Sequence, residues 1–210
     1  MQAKHEWRKK EKSFYLPKNK PETLTVPEFS FISIQGEGSP ASSAFTKKVE
    51  ALYALAYTIK MIPKKMDKPP QGYFDFTVYP LEGVWDINEK AKANFDGTIN
   101  KDELVYRLMI RQPDFVDQAF YRDMLELAKQ KKANPLFEQL SFEQIEEGKA
   151  VQMLHVGPFD DEPQSFEKME AFAVAEGLER LSKVHREIYL SDPRKVTPDK
   201  LKTVLRFQVK

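Results

Sequence analysis

Glu187 stands between two rings in the run His185-Arg186-Glu187-Ile188-Tyr189-Leu190-Ser191-Asp192-Pro193. Val184, Ile188 and Leu190 alternate with His185, Glu187 and Tyr189, the period of a strand with an apolar face, and Pro193 marks where pairing stops. A carboxylate so placed is either a solvated outward side chain or the single charge at the bottom of an aromatic pocket. In a pocket it can orient or deprotonate a water, and surrounding rings, with their negative faces and large area, suit flat or cationic ligands. His185 shares the face of Glu187, so a Glu-His base pair is one further reading. His155, His185 and Glu187 have the types of a two-His-one-carboxylate metal set but none of its short ligand spacing, and we expect no metal. No Gly-x-Gly-x-x-Gly or Walker loop and no Gly-x-Ser-x-Gly elbow occurs, so neither a nucleotide cofactor nor a serine nucleophile is expected.

Composition narrows the class further. The chain has 210 residues, 41% of them hydrophobic, enough for a full core. Lys plus Arg number 33 against 32 acids, so no global field draws the protein to nucleic acid or an anionic membrane. Zero cysteines exclude disulfides and thiolate chemistry and fit a reducing cytoplasm. The charged start, Met1-Gln2-Ala3-Lys4-His5-Glu6-Trp7, does not resemble a signal peptide, and no apolar stretch approaches the ~18 residues of a membrane span. We therefore expect a cytoplasmic monomer or homodimer with a small aromatic or cationic ligand. Aromatics make 12% of the chain, and they are its unusual component.

The elements that must position Glu187 follow from periodicity. Residues 1–24 are read as an arm, rich in Lys and Arg before Pro21, that Trp7, Phe14 and Tyr15 can pin to the body. A basic arm for nucleic acid is the rival reading, which lacks a basic stripe elsewhere to continue it. Phe29 to Gln35 reads as a strand, Ser42 or Ser43 caps a helix carrying Phe45, Val49, Leu52, Ala56 and Ile59, and Tyr53 and Tyr57 flank its stripe. Tyr73 to Tyr79 alternates as a strand, Pro80 to Trp85 reads as a turn, and Leu104 to Arg111 as a strand. Pro113 opens a connecting helix that Asn134-Pro135 ends. Phe142 to Ile145 and Ala150 to Val156 read as two strands around Glu147-Gly148. Asp161-Glu162-Pro163-Gln164 resembles a capping box opening a helix with Phe166, Met169 and Ala173 inward. The Glu187 strand and a last strand from Thr203 to Val209 close the chain.

Strand, helix, strand, strand thus occurs twice, offset by about a hundred residues, which a duplicated module explains. The expected fold is α+β: module one over about 25–112, a connecting helix over about 113–133 and module two over about 137–210, related by a pseudo-twofold axis with a ligand cavity between them. Tyr79, Tyr106 and Tyr189 lie on strand faces whose direction is open, and Tyr53, Tyr57 and Trp85 are either packing or pocket residues. His155 shares a face with Val151 and Met153, which favours burial against the helix.

The duplicated order, the His185 to Pro193 stretch leading into Pro198-Asp199-Lys200-Leu201-Lys202-Thr203, and the start from Val26-Pro27-Glu28-Phe29 to Gly36-Glu37-Gly38-Ser39-Pro40 resemble the GyrI-like small-molecule-binding proteins, over nearly the whole chain from about Pro17, with the domain itself taken as 25–210. That family shares its fold with the effector-binding domains of multidrug-responsive regulators. The resemblance implies a central cavity lined by aromatics with an acid at its base, and its strand carboxylate corresponds to Glu187. A stand-alone subset that this chain resembles hydrolyses cyclopropane-bearing DNA-alkylating compounds in an aromatic cage. Trp85 is carried over because Pro80-Leu81-Glu82-Gly83-Val84-Trp85 looks like that subset's turn. We expect a site with Glu187 as the catalytic group and Trp85, Tyr53, Tyr57, Tyr79, Tyr106, Tyr189 and His155 around the substrate, of which the resemblance itself implies Glu187 and Trp85. A non-catalytic binder or drug sensor is the alternative, and a gyrase-type inhibitor a third. No helix-turn-helix precedes Glu28, a departure from the regulators.

Overall fold

The computed structural model describes residues 4–210, so the first three residues of the expected arm lie outside the described residues. In chain order the regular elements are α1 (Trp7–Lys10), α2 (Lys12–Tyr15), β1 (Glu22–Glu37), α3 (Ser43–Met61), β2 (Leu81–Ile87), α4 (Glu89–Ala93), β3 (Leu104–Gln112), α5 (Gln118–Lys131), β4 (Ser141–Val156), α6 (Glu162–Ala175), β5 (His185–Tyr189) and β6 (Lys202–Gln208). The protein is α+β. Strand, helix, strand, strand does occur twice, as β1-α3-β2-β3 and β4-α6-β5-β6, with only short α4 inserted before β3.

Several local expectations are corrected. Residues 73–79 form no strand: Phe76 makes one isolated bridge with His5, while Tyr73, Phe74 and Phe76 pack their rings around Phe115 at centroid distances of 5.3, 5.6 and 6.0 Å. The alternation there reflects an aromatic cluster rather than a pleat. The segment read as a turn, Leu81 onward, is instead strand β2. Pro113 does not open α5, which begins at Gln118 with Asp117 accepting the Phe120 N–H at 2.8 Å. The two strands expected around Gly148 are one strand, β4, because a positive φ of 72° at this glycine turns the backbone without ending the pairing.

The chain divides into two compact units. The first holds the described residues up to Glu6 together with 29–79 and 86–145. In it β1 and β3 pair antiparallel from Ser30↔Gln112 to Glu37↔Val105. Ser42 Oγ accepts the Phe45 N–H at 3.1 Å and starts α3, whose Ala51, Leu52, Leu55, Ala56 and Ile59 are fully buried where it packs on β3 and α5. Each such Leu or Ile contributes about 1.5–3 kcal/mol relative to exposure.

The second unit holds 7–28, 80–85 and 146–210. Here β2 pairs with β5, β5 with β6 and β6 with β4, all antiparallel. One face of this sheet is apolar toward α6, with Val151, Met153, Leu205 and Phe207 against Met169 and Ala173. The opposite face buries charge. Arg186 lies directly opposite Arg206 in register, a like-charge pair that survives because Glu82 and Glu147 sit between the guanidiniums. Arg186 reaches Glu82 Oε2 at 2.9 Å and Glu147 Oε1 at 3.3 Å, and Arg206 reaches Glu147 Oε2 at 3.0 Å. The two guanidiniums hold the Glu147 carboxyl below the usual range despite its burial. Arg206 also donates to the Phe14 carbonyl at 2.6 Å, and Gln152 donates to that of Ser13 at 2.7 Å, so this network anchors α2. Trp7 and Tyr15, buried and 5.2 Å apart between ring centroids, complete the attachment.

Removing one member leaves its partners buried and unpaired. Arg206→Ala is expected to lower the unfolding free energy by about 3–5 kcal/mol. Urea unfolding followed by circular dichroism measures it, and a loss under 1 kcal/mol, as for an exposed pair, would contradict a buried network.

Candidate active site

The site is built on the α6 face of the second unit's sheet. Strand registry lays its residues in rows: His155, Thr203 and Tyr189 in one, Met153, Leu205, Glu187 and Gly83 in the next, and His185 beside Trp85 in the third. Because side chains alternate, Arg186 and Ile188 leave by the other face, and His185, Glu187 and Tyr189 project together. Helix α6 covers them. Its buried stripe is Glu162, Ser165, Met169 and Ala173, at i, i+3, i+7 and i+11.

Glu162 therefore faces the sheet. The expected capping box is not formed: Asp161 has helical dihedrals (φ −94°, ψ −4°) and makes no side-chain cap bond. With that box absent, the first helical residue, Glu162, is buried at 6% exposure and is hydrogen-bonded to Glu187.

A hydrogen-bond relay converges on Glu187, itself 9% exposed. Trp85 Nε1–H donates to Tyr189 Oη at 2.8 Å, and the Tyr189 hydroxyl donates to Glu187 Oε2 at 2.7 Å. His185 Nε2 lies 3.2 Å from Glu187 Oε1. Two further rings close the surroundings: Phe159 stands edge-on to Tyr189 at 6.0 Å, and Phe166 edge-on to His185 at 4.7 Å.

Two adjoining carboxyls in such a place cannot both be charged. Burial, and after it the charge of Glu187, pushes the Glu162 carboxyl up to about 10, so Glu162 carries a proton at neutral pH and gives it to Glu187 in a hydrogen bond. Glu162 Oε1 finds no donor among the described residues, which agrees with a protonated group. Burial and the same carboxylate hold the Tyr189 hydroxyl well above its ordinary value, so it remains a donor. The arrangement offers a carboxylate to accept a proton and a neutral acid beside it to give one.

Of the residues singled out in the sequence, Glu187, Trp85 and Tyr189 are joined by that relay. His155 lies on the same sheet face, two rows from His185 and Trp85. Its Nε2 is 3.1 Å from the Pro158 carbonyl, an acceptor, so that nitrogen carries the hydrogen and Nδ1 accepts the Ser165 hydroxyl at 2.9 Å. The other four tyrosines belong to the first unit. Tyr53 and Tyr57 lie on α3 with centroids 6.3 Å apart, Tyr57 being 53% exposed. Tyr106 is buried over Gly36 and meets Phe45 edge-on at 5.2 Å. Tyr79 is buried beneath the Arg111 guanidinium, 4.7 Å from its ring centre. Sequence reading missed Glu162 and Phe159. An acid in a helix's first turn reads as a dipole partner, and only the i, i+3, i+7 match to Ser165 and Met169 could have marked it as inward.

With the geometry established, comparison supplies the family. The model of the GyrI-like small molecule binding domain matches residues 19–210. The chain belongs to that family. Among solved structures, this GyrI-like chain is similar to a hydrolase from Listeria innocua, with 40% identity, a TM-score of 0.88 and 99% of this chain and 100% of that one covered. A second structure of a Listeria innocua hydrolase gives 41% identity and 0.89 over the same shares. The C-terminal domain of EcmrR, at 14% identity and a TM-score of 0.55 over 91% of this chain and 97% of that one, shares the fold alone. No curated protein sequence matches.

Gly83 has a particular place in this GyrI-like site. It sits opposite Glu187, and a Cβ there would lie 2.6 Å from Trp85 Nε1 and 3.1 Å from Tyr189 Oη. The relay passes over the space that glycine leaves open. Gly83→Ala is expected to displace the Trp85 indole and cost about 1–3 kcal/mol as an overpacking change. Thermal unfolding with the tryptophan emission maximum reports both, and an unshifted spectrum would show that the relay tolerates a methyl.

The buried acid also fixes a pH dependence. The folded value for Glu162, about 10, lies above the ordinary 4.5, so the folded state keeps a proton that the unfolded chain loses. Its contribution is full below 4.5 and declines as pH climbs toward the folded value, by at most about 1.4 kcal/mol per pH unit. Glu162→Gln does not titrate, so its melting temperature relative to the parent should rise between pH 5 and pH 9. A constant difference would mean that Glu162 is already ionised.

Proposed function

We propose that this GyrI-like protein binds flat aromatic xenobiotics against Trp85, Tyr189, Phe159 and Phe166, hydrolyses those bearing a strained cyclopropane, and so removes DNA-alkylating compounds before they reach DNA. The observation that carries the reading is the buried Glu187 carboxylate, fixed by three neighbours of different kinds and walled by rings. Support comes from the two Listeria innocua hydrolase structures at 40 and 41% identity.

In the proposed reaction the substrate's cyclopropane is conjugated through a ring to a carbonyl. Glu187 takes a proton from water as the water oxygen bonds to the cyclopropane methylene. The ring carbon–carbon bond breaks, its electron pair moves through the conjugated system to the distant carbonyl oxygen, and a phenolate results. A phenolate is a stable leaving group, so solvent can protonate it after the bond has broken. Ring strain supplies much of the driving force, and one well-placed base contributes typically 10²–10⁴-fold. Tyr189 and His185 hold the carboxylate's orientation, and Trp85 holds Tyr189. Aromatic contacts worth about 0.5–1.5 kcal/mol each beyond their buried area set affinity without demanding one substrate shape.

The test is to incubate the protein with a cyclopropane-fused dienone alkylator and follow the water adduct by mass. Glu187→Gln should keep binding and lose turnover by about 10²–10⁴-fold. Tight binding by the parent protein with no water adduct would replace the hydrolase with a binder or drug sensor.

A further inference from the structure

The proposed cyclopropane reaction leaves Glu162 without chemical work, since the charge it generates appears on an oxygen several bonds from the attacked carbon. Yet Glu162 is a buried acid on the sheet-facing stripe of α6, flanked in sequence by Phe159, which meets Tyr189, by Ser165, which meets His155, and by Phe166, which meets His185, so it is set against the row that carries the base. A base and an acid that touch can serve two neighbouring atoms of one small ring. They cannot reach opposite ends of a conjugated system. From this juxtaposition we infer that the site also opens aryl epoxides to diols, with Glu187 as base and Glu162 as acid. The inference rests on the hydrolase reading above and extends it to oxygen-containing three-membered rings.

The chemistry differs from cyclopropane opening in what the leaving atom requires. The water oxygen bonds to one epoxide carbon, and Glu187 takes the water's proton. The carbon–oxygen bond breaks, its electron pair stays on the ring oxygen, and that oxygen takes the proton of Glu162. An alkoxide, unlike a phenolate, is far too basic to depart unprotonated at neutral pH, so the acid is needed in the same step. Water plus epoxide gives diol, with nothing oxidised or reduced. Glu187 then holds the proton and Glu162 the charge. The hydrogen bond between them returns the proton, and the pair resets without solvent. The edge-on rings of Phe159 and Phe166, with Trp85 and Tyr189, favour an aryl substituent on the epoxide.

Racemic styrene oxide in ¹⁸O-water, under single turnover and beside a cyclopropane-fused dienone, tests the inference. The expected product is phenylethanediol carrying one ¹⁸O, formed above the buffer rate. Glu162→Gln, which keeps a hydrogen-bond donor but has no acidic proton to transfer, should lower epoxide turnover at least 100-fold and dienone turnover less than 10-fold. Equal losses for the two substrates would reduce Glu162 to a positioning role and overturn the acid assignment. Unlabelled diol in the first turnover would overturn direct attack by water. Dienone turnover without diol would overturn the epoxide activity alone, and absence of both products would overturn it together with the hydrolase reading.

Discussion

Two carboxyl groups in contact, inside protein, can hold one negative charge between them but not two. That constraint organises the second unit. Desolvation and mutual repulsion act in the same direction on Glu162, and the proton it retains turns a repulsive contact into a hydrogen bond. The rest of the site then distributes donors around the one carboxylate that remains. Tyr189 takes one oxygen and His185 stands at the other, and the Trp85 indole fixes Tyr189 in turn.

The same sheet solves a different electrostatic problem on its other face, and the comparison shows what neutrality accomplishes in each place. Arg186, Arg206, Glu82 and Glu147 balance two cations with two acids, and Arg206 also satisfies the Phe14 carbonyl of the N-terminal segment. Their chemistry is used up in holding structure. Across the strand, one residue away in sequence, Glu187 pairs with Tyr189 and His185 and with no guanidinium among the described residues. A carboxylate locked to a guanidinium would be a poor base, because its lone pairs are committed. Alternation along β5 sends Arg186 to the anchoring face and its immediate neighbours His185 and Glu187 to the other.

Much of this was legible in the sequence, and the misses have physical causes. The period-2 run through Glu187 gave its strand and the residues that share its face, because parity alone sets those, whereas which way that face turns depends on partners the run does not contain. The Ser42 cap and the α3 stripe were equally local. Residues 73–79 misled because aromatic residues at alternate positions also arise in a ring cluster, where Phe115 supplies the packing that a neighbouring strand would otherwise give. Strand β2 was hidden because Pro80 and Gly83 are turn residues by composition. Only the β5 partner and the indole above it explain why glycine is required there. Glu162 was hidden for a related reason: a helix's first turn accepts acids on any face, and burial is a property of the partner sheet.

The selectivity of the proposed reaction follows from how its energy is divided. Stacking and edge-on contacts depend weakly on substituents, so in the proposed function Trp85, Tyr189, Phe159 and Phe166 would recognise aromatic character rather than one molecule. Ring contacts of that kind would not reject close analogues by binding, since a methylene changes affinity only about 10- to 200-fold. Discrimination has to come from the reaction. A single carboxylate with its lone pairs aimed by fixed donors acts only on a water placed next to an electrophilic carbon. Unstrained aromatic compounds can then occupy the site without being consumed, whereas strained ones carry the energy that a modest base leaves unsupplied. In the proposed function, loose recognition joined to a narrow chemical requirement would suit a protein that meets many foreign molecules and must alter only the reactive ones.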